Sequence, residues 1–498
     1  MQANRIKIDH LARLLWGAAL LTLPVTSFRY FPFLGEDTLV RPLALYPLVL
    51  LAPILVIRLL HKKIAAPWPG SLIPLGGFLL SALLVTIVGA LLMPLELRGN
   101  TYWERTLRAW VTLAVGLYFF LSAVWMNQNE ADLRFSTKWL YSGLFLSIVW
   151  SGVQVLAFYT DIIDKHALTL WQRAFSMREL VRTERVSGLA YEPAWLAGQI
   201  ATLYMPWLFA TILTRYRVSR YKWLEPVLLA LTLLLLFLTY SRGGIFVTMV
   251  AVGLTFLLAG RETMKRIWQW IRAPFHQANQ STVVRLQAWG IRIGTLLVIT
   301  SLLVIAFFFL SQKGYFRQLW SSTASSLEEY IIDNYAGARI AYAWGAMEAF
   351  QAHPWTGVGL GASGFYIYQN LPDWALTTVP EIARQISPDN RLYPNPKNLY
   401  IRLLAETGLP GFALFLIFQL SILGSILPAL HSQSNVNRFI GVSGLFSWIA
   451  IVLYCFTQDT LATPNLWINL GILVGMSSLW LTAKASTKSR YIDRKRKQ

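Results

Sequence analysis

Arg185, Arg242, Arg339, Lys397 and Arg402, with Glu192 and Glu406, are the residues whose types and settings could do chemistry. Arg185 opens the stretch Arg185-Val186-Ser187-Gly188-Leu189-Ala190-Tyr191-Glu192-Pro193. Arg242 lies in Ser241-Arg242-Gly243-Gly244 between two apolar runs, and Lys397-Asn398 opens a block that closes at Leu404-Ala405-Glu406-Thr407-Gly408. A guanidinium is a planar fork that matches phosphate oxygens two at a time, so arginines gathered on one surface suit a phosphate or pyrophosphate. Between apolar runs such a charge is costly unless it meets water or an anion, and the glycines after Arg242 allow close backbone approach. An arginine snorkelling from a helix end is the simpler account of Arg242 or Arg185 taken singly. Arg402 and Glu406 stand four apart and can pair along one side of a helix.

The elements that must position these groups are membrane spans. The 498 residues are 55% hydrophobic and 14% charged, with a mean hydropathy of +0.47. Long apolar runs without a period-two alternation select helices over a barrel, so the fold class is all-α. About twelve spans of roughly 20 residues are expected, near 11–28, 42–60, 70–93, 108–126, 139–158, 190–213, 224–240, 245–260, 293–311, 409–430, 439–457 and 464–482. The organisation that follows is spans one to nine over 1–311, a long polar excursion over 312–408, three spans over 409–482, and a basic tail over 483–498. The first apolar run has no clear cleavage site and is read as a retained helix.

Basic residues then set the sides. With the N-terminus inside, Arg58, Lys62 and Lys63, Arg215 to Lys222, Arg261 to Arg292 and the C-terminal tail all fall on the cytoplasmic side. Both termini are therefore expected inside, with the excursion facing outward. Arg185, Glu192, Arg242, Arg339, Lys397, Arg402 and Glu406 then share the outer surface. That convergence speaks against seven separate snorkelling residues, and an anionic group at a lipid surface is the ligand it suits.

Other classes fall away. The +20 net charge is dispersed over loops, which argues against nucleic acid. The single Cys455 lies in an apolar span, and the six histidines are scattered without ligand spacing, so neither a disulfide nor a metal is expected. No Asp-x-Asp pair is present to hold a metal-bound nucleotide sugar. Arg261–Phe275 mixes basic residues with Trp268 and Trp270, a pattern for a helix lying in the headgroup layer. Within the excursion, Gly337–Phe350 has helical spacing and breaks at His353-Pro354, and Gly357-x-Gly359-x-Gly361 reads as a turn, having no Lys-Ser/Thr pair to make a phosphate loop. Asn398–Thr407 reads as a short helix ended by Gly408 and Pro410.

Four ordered blocks, Arg185–Pro193, Ser241-Arg242-Gly243, Arg339 through Gly361, and Asn398–Gly411, resemble the O-antigen ligase and O-antigen polymerase superfamily of bacterial envelope glycosyltransferases. The resemblance implies a multi-helix membrane enzyme that takes an undecaprenyl-pyrophosphate-linked glycan and transfers it to a hydroxyl of a glycan or lipid acceptor, with no cofactor or metal. It implies that Arg185 and Arg242 hold the pyrophosphate; Arg339, Asn398 and Arg402 are read from their place in the sequence as further substrate contacts. Where the ligase pattern has His-Asn, this chain has Lys397-Asn398. An ammonium is a poorer base than a neutral imidazole, so base duty passes to Glu192 or Glu406, with Lys397 as another phosphate contact at the catalytic position. That departure leans the reading to the polymerase branch, with ligase as the alternative. A flippase is the rival from another class; it is disfavoured because the halves show no repeat and the charges collect at one face.

Overall fold

The computed structural model describes residues 2–30, 38–93, 96–160, 162–178, 184–276, 282–334, 336–387 and 393–477. The described residues are 74% helix and 2% strand, as lipid demands when it offers the backbone no hydrogen-bond partner. Among the described residues the named strands form one hairpin, Glu96–Leu97 against Asn100–Thr101. Among the described residues seven helices are long and apolar enough to cross a membrane: Leu72–Leu92, Tyr102–Met126, Glu130–Tyr159, Pro193–Thr214, Arg242–Ala259, Leu399–Leu430 and Asn435–Tyr454. The other expected spans fall on Gln2–Thr22, Leu45–Leu60, Leu224–Leu238, Thr282–Gln312 and a helix over 468–477, which are helical without meeting that criterion. The basic tail expected over 483–498 lies outside the described residues.

Leu399–Leu430 packs on Leu72–Leu92 and Asn435–Tyr454, and the last of these also packs on Met205–Thr214 and Arg242–Ala259. Trp207, Phe418, Phe439 and Trp467 fill the interior. One polar network crosses it. Pro193–Thr214 contains a wide π turn, Ile200–Tyr204, and the Asn469 amide donates to the Thr202 and Leu203 carbonyls at 2.8 and 3.1 Å while accepting from Trp207 Nε1 at 2.9 Å. A widened turn leaves carbonyls without their usual partners, and Asn469 supplies one.

The excursion is a folded layer. It contains Gly314–Ser321, Leu327–Asp333, Gly337–Ala352, Ser363–Gln369, Asp373–Thr378 and Pro380–Gln385. Tyr342, Ala346, Phe365 and Ile367 form a second core with Tyr102 at the head of Tyr102–Met126. The segment expected in the headgroup layer is likewise a helix, Arg261–His276, with Arg272 over the Trp268 ring at 4.2 Å and Glu262 paired with Arg266 and Arg438.

The layer docks where a span is broken. Leu399–Leu430 is interrupted at Gly408, whose φ of 63° and ψ of −175° are non-helical, so Leu399–Thr407 is a separate short helix, as its sequence predicts. The break orphans its terminal carbonyls. Those of Ala405 and Glu406 accept from Val358 N and Gly359 N at 3.0 and 3.1 Å, and Leu409 N donates to Pro354 O at 2.8 Å. The glycine-rich stretch is thus a docking turn. A Cβ at Gly408 would stand 2.5 Å from Trp355 O, which is why that position carries none.

Candidate functional site

Arg242 is the first residue of its helix, and the Ser241 hydroxyl caps that end by accepting from Gly244 N at 3.3 Å. Its fork reaches into the excursion, where Nη1 donates to Asn334 Oδ1 at 3.1 Å and Nη2 to Asn334 O at 2.6 Å. Arg185 sits beside it: its Nε donates at 3.0 Å to the carbonyl of Thr239, on the same tight turn. Val186 N donates to Leu238 O at 3.1 Å, so the stretch opened by Arg185 closes the end of Leu224–Leu238. Gln154 fixes that stretch from below. Its Oε1 accepts from Ser187 N and Gly188 N at 3.0 and 2.9 Å, and its Nε2 donates to Gly188 O at 3.0 Å.

A second group gathers around the link after Asn435–Tyr454. Arg339, exposed on Gly337–Ala352, donates to Thr457 O at 2.7 Å. Arg402 donates to Asp459 O at 2.7 Å, and Asp459 Oδ2 accepts from Lys397 N at 3.0 Å. Lys397 has a φ of 58°, an uncommon conformation for a residue with a side chain, and among the described residues its ammonium has no partner. The Asn398 side chain is committed to capping, since Oδ1 accepts from Tyr400 N and Ile401 N at 3.0 and 3.2 Å. Glu406 is buried and fully engaged, Oε2 with Arg402 Nε at 3.0 Å and Oε1 with Ser363 Oγ at 2.8 Å.

The two groups meet. A Cβ on Gly243 would lie 3.8 Å from the Thr457 methyl, and Gly244 presses on Ala197 of Pro193–Gln199. Glu192, exposed at the N-cap of that last helix, makes no capping bond, and among the described residues its carboxylate has no hydrogen-bond partner. Tyr454 feels both Glu192 and Arg339. Arg178 stands near Glu192 and Arg185; burial pushes its guanidinium below the usual arginine range, Glu192 opposes the shift, and its Nη1 is buried without a partner. Arg185, Arg242, Glu192, Arg339, Lys397 and the Arg402–Glu406 pair are thus drawn to one end of the bundle. The arrangement offers several guanidinium groups for an oxyanion and one unengaged carboxylate for a proton. Among the described residues no three His, Cys, Asp or Glu side chains gather as metal ligands.

Sequence reasoning missed Asp459, Asn334 and Gln154. Asp459 carried a signal, being the sole charged residue of the 457–463 link between apolar runs. Asn334 and Gln154 carried none, since nothing local marks a residue whose partner is far along the chain.

Residues 227–416 match the family model described as O-Antigen ligase. The match takes in Arg242, Arg339, Lys397, Asn398, Arg402 and Glu406 and stops short of the Arg185 stretch and of Asp459. No curated protein matches the chain. Over that stretch the chain is similar to the O-antigen ligase and polymerase superfamily, a glycosyl-transferring class, and its apolar helices suit a membrane protein.

Proposed function

We propose that this protein is a surface-polysaccharide polymerase of the bacterial inner membrane, crossing it about twelve times by the roughly 20-residue criterion, with cytoplasmic termini and an outward-facing site beneath the excursion. Its donor is an undecaprenyl-pyrophosphate-linked oligosaccharide, and its acceptor is the terminal hydroxyl of another glycan. The hydroxyl oxygen attacks the anomeric carbon, the bond from that carbon to the pyrophosphate oxygen breaks, and the hydroxyl proton passes to Glu192. Arg185 and Arg242 take up the charge that develops on the departing lipid pyrophosphate. Arg242 exchanges its Asn334 contacts for phosphate oxygens, so donor binding and the seating of the excursion compete for one fork.

The observation that carries this reading is the shared turn: Arg185 Nε donates to Thr239 O, Arg242 follows three residues further on, and Gly243 after it lies against the Thr457 methyl. Glu192 is favoured as base over Glu406 because its carboxylate is exposed and unengaged, whereas Glu406 is held by Arg402 and Ser363. The test is release of undecaprenyl pyrophosphate by the purified protein in detergent, with no compartment to cross. Arg242→Ala abolishes release while expression is kept; wild-type release by that variant overturns the assignment, and absence of release from the wild type returns the transporter reading.

The family description favours a second reading, transfer of finished glycan to lipid A-core or another acceptor. Products separate the two. A series of repeat lengths that vanishes on deletion marks a polymerase, and long lipid-linked chains that accumulate unattached mark a ligase.

A further inference from the structure

Arg105 belongs to none of the groups described above. It lies in the first turn of Tyr102–Met126, and its carbonyl stands 2.8 Å from where a Cβ on Gly361 would be, next to Ala109 at 2.6 Å. Its guanidinium lies over the ring of Tyr393 with the central carbon 3.7 Å from the centroid. Among the described residues this guanidinium makes no hydrogen bond, and its Nε is buried and unpaired. The Tyr393 hydroxyl beside it is also buried, on a residue only 5% exposed; the Phe365 backbone N–H points at it, and its own proton meets no acceptor. Two orphaned donors in contact are expensive to maintain unless something meets them.

The surrounding charge says what. Arg105 feels Arg108, Arg402 and Glu406. Arg108 is paired with Glu104 at 2.6 Å and Glu406 with Arg402 at 3.0 Å, so neither nearby carboxylate is left for Arg105. A guanidinium stacked on a ring keeps its in-plane N–H donors free for a bidentate oxyanion. We infer that Arg105 and Tyr393 form a subsite for an oxyanion carried by the saccharide, a uronate carboxylate or a phosphate substituent, separate from the Arg185–Arg242 pair. The inference rests on the reading of the protein as a glycan-transferring enzyme. Arg98, over Tyr368 at 4.8 Å and bonded to Ile386 O at 2.6 Å, braces the adjoining ring, since Tyr368 and Tyr393 pack edge to face.

The test is equilibrium binding to the full-length protein in detergent, with glucuronate, glucose and inorganic phosphate as probes. Glucuronate or phosphate binds and glucose does not. Arg105→Ala weakens the bound anion at least tenfold, Arg105→Lys weakens it less, and Tyr393→Phe weakens it severalfold. Glucuronate alone assigns the site to a saccharide carboxylate, phosphate alone to a phosphate substituent, and either supports it. Equal binding of glucose, no binding of either anion, or unchanged binding in a monodisperse Arg105→Ala protein overturns it. Undecaprenyl pyrophosphate is titrated in parallel: its binding falls in Arg242→Ala and holds in Arg105→Ala. Loss of that pattern sinks the reading of the main site and leaves the probe result on Arg105 standing.

Discussion

Gln154→Leu tests whether Arg185 is positioned by a clamp from the neighbouring span. The side chain is buried, and its Oε1 accepts from two backbone N–H groups, those of Ser187 and Gly188. Leucine keeps the volume and removes both acceptor contacts. A buried donor left unpaired costs about 1–3 kcal/mol, so the two together cost roughly 2–6 kcal/mol. The cost falls on the stretch opened by Arg185, because these bonds join it to Glu130–Tyr159. Opening of that stretch becomes about 30-fold more frequent at the lower bound, taking 1.4 kcal/mol as a factor of ten. Tryptic cleavage after Arg185 in detergent reads this directly, since cleavage tracks the population of the open form when reclosing is fast. Cleavage after Arg317, in the excursion, is the control and stays at its wild-type rate. Turnover falls with the loss of Arg185 from Thr239. A Gln154→Leu protein that is cleaved after Arg185 no faster than wild type, and turns over normally, refutes the clamp.

Gly408→Ala forces a side chain into a left-handed conformation against Trp355 O, at a cost of about 1–3 kcal/mol; the Val358 and Gly359 amides then exchange faster by hydrogen exchange, and wild-type protection would show that the layer does not dock there. Glu192→Gln lowers turnover by about 10²–10⁴ with donor binding kept. Glu406→Gln instead leaves Arg402 buried beside a neutral group, which costs about 3–5 kcal/mol and appears as a lowered unfolding midpoint. A stable but inactive Glu406→Gln with normal donor binding would move base duty to Glu406.

The all-α class was legible because apolar runs in lipid leave the backbone one economical solution. The break at Gly408 was legible because a glycine and a proline stood together after a helical pattern. What the excursion does was less so. The docking turn at Gly357–Gly361 is fixed by carbonyls of Ala405 and Glu406, some fifty residues away in the chain, and no local pattern encodes such a pairing. The same holds for Arg242: its charge between apolar runs drew attention at once, but Asn334 as its resting partner is a tertiary fact. Glu192 and Glu406 were equal candidates in the sequence. Burial and the partners that come with it separate them, since Glu406 is buried and held by Arg402 and Ser363 while Glu192 is exposed.

The π turn at Ile200–Tyr204 has a consequence for the direction in which Glu192 faces. A π turn holds one residue more than an α turn, and each residue of a helix advances the azimuth by about 100°. Rewinding Ile200–Tyr204 as α-helix with no residue removed would swing everything before it, Glu192 included, through about that angle relative to Met205–Thr214. The carboxylate would then face another quarter of the bundle, with Arg242 and the Thr457 link behind it. Asn469, by bonding the Thr202 and Leu203 carbonyls, acts as the latch on that dial, holding from the membrane interior the bearing of a residue at its edge.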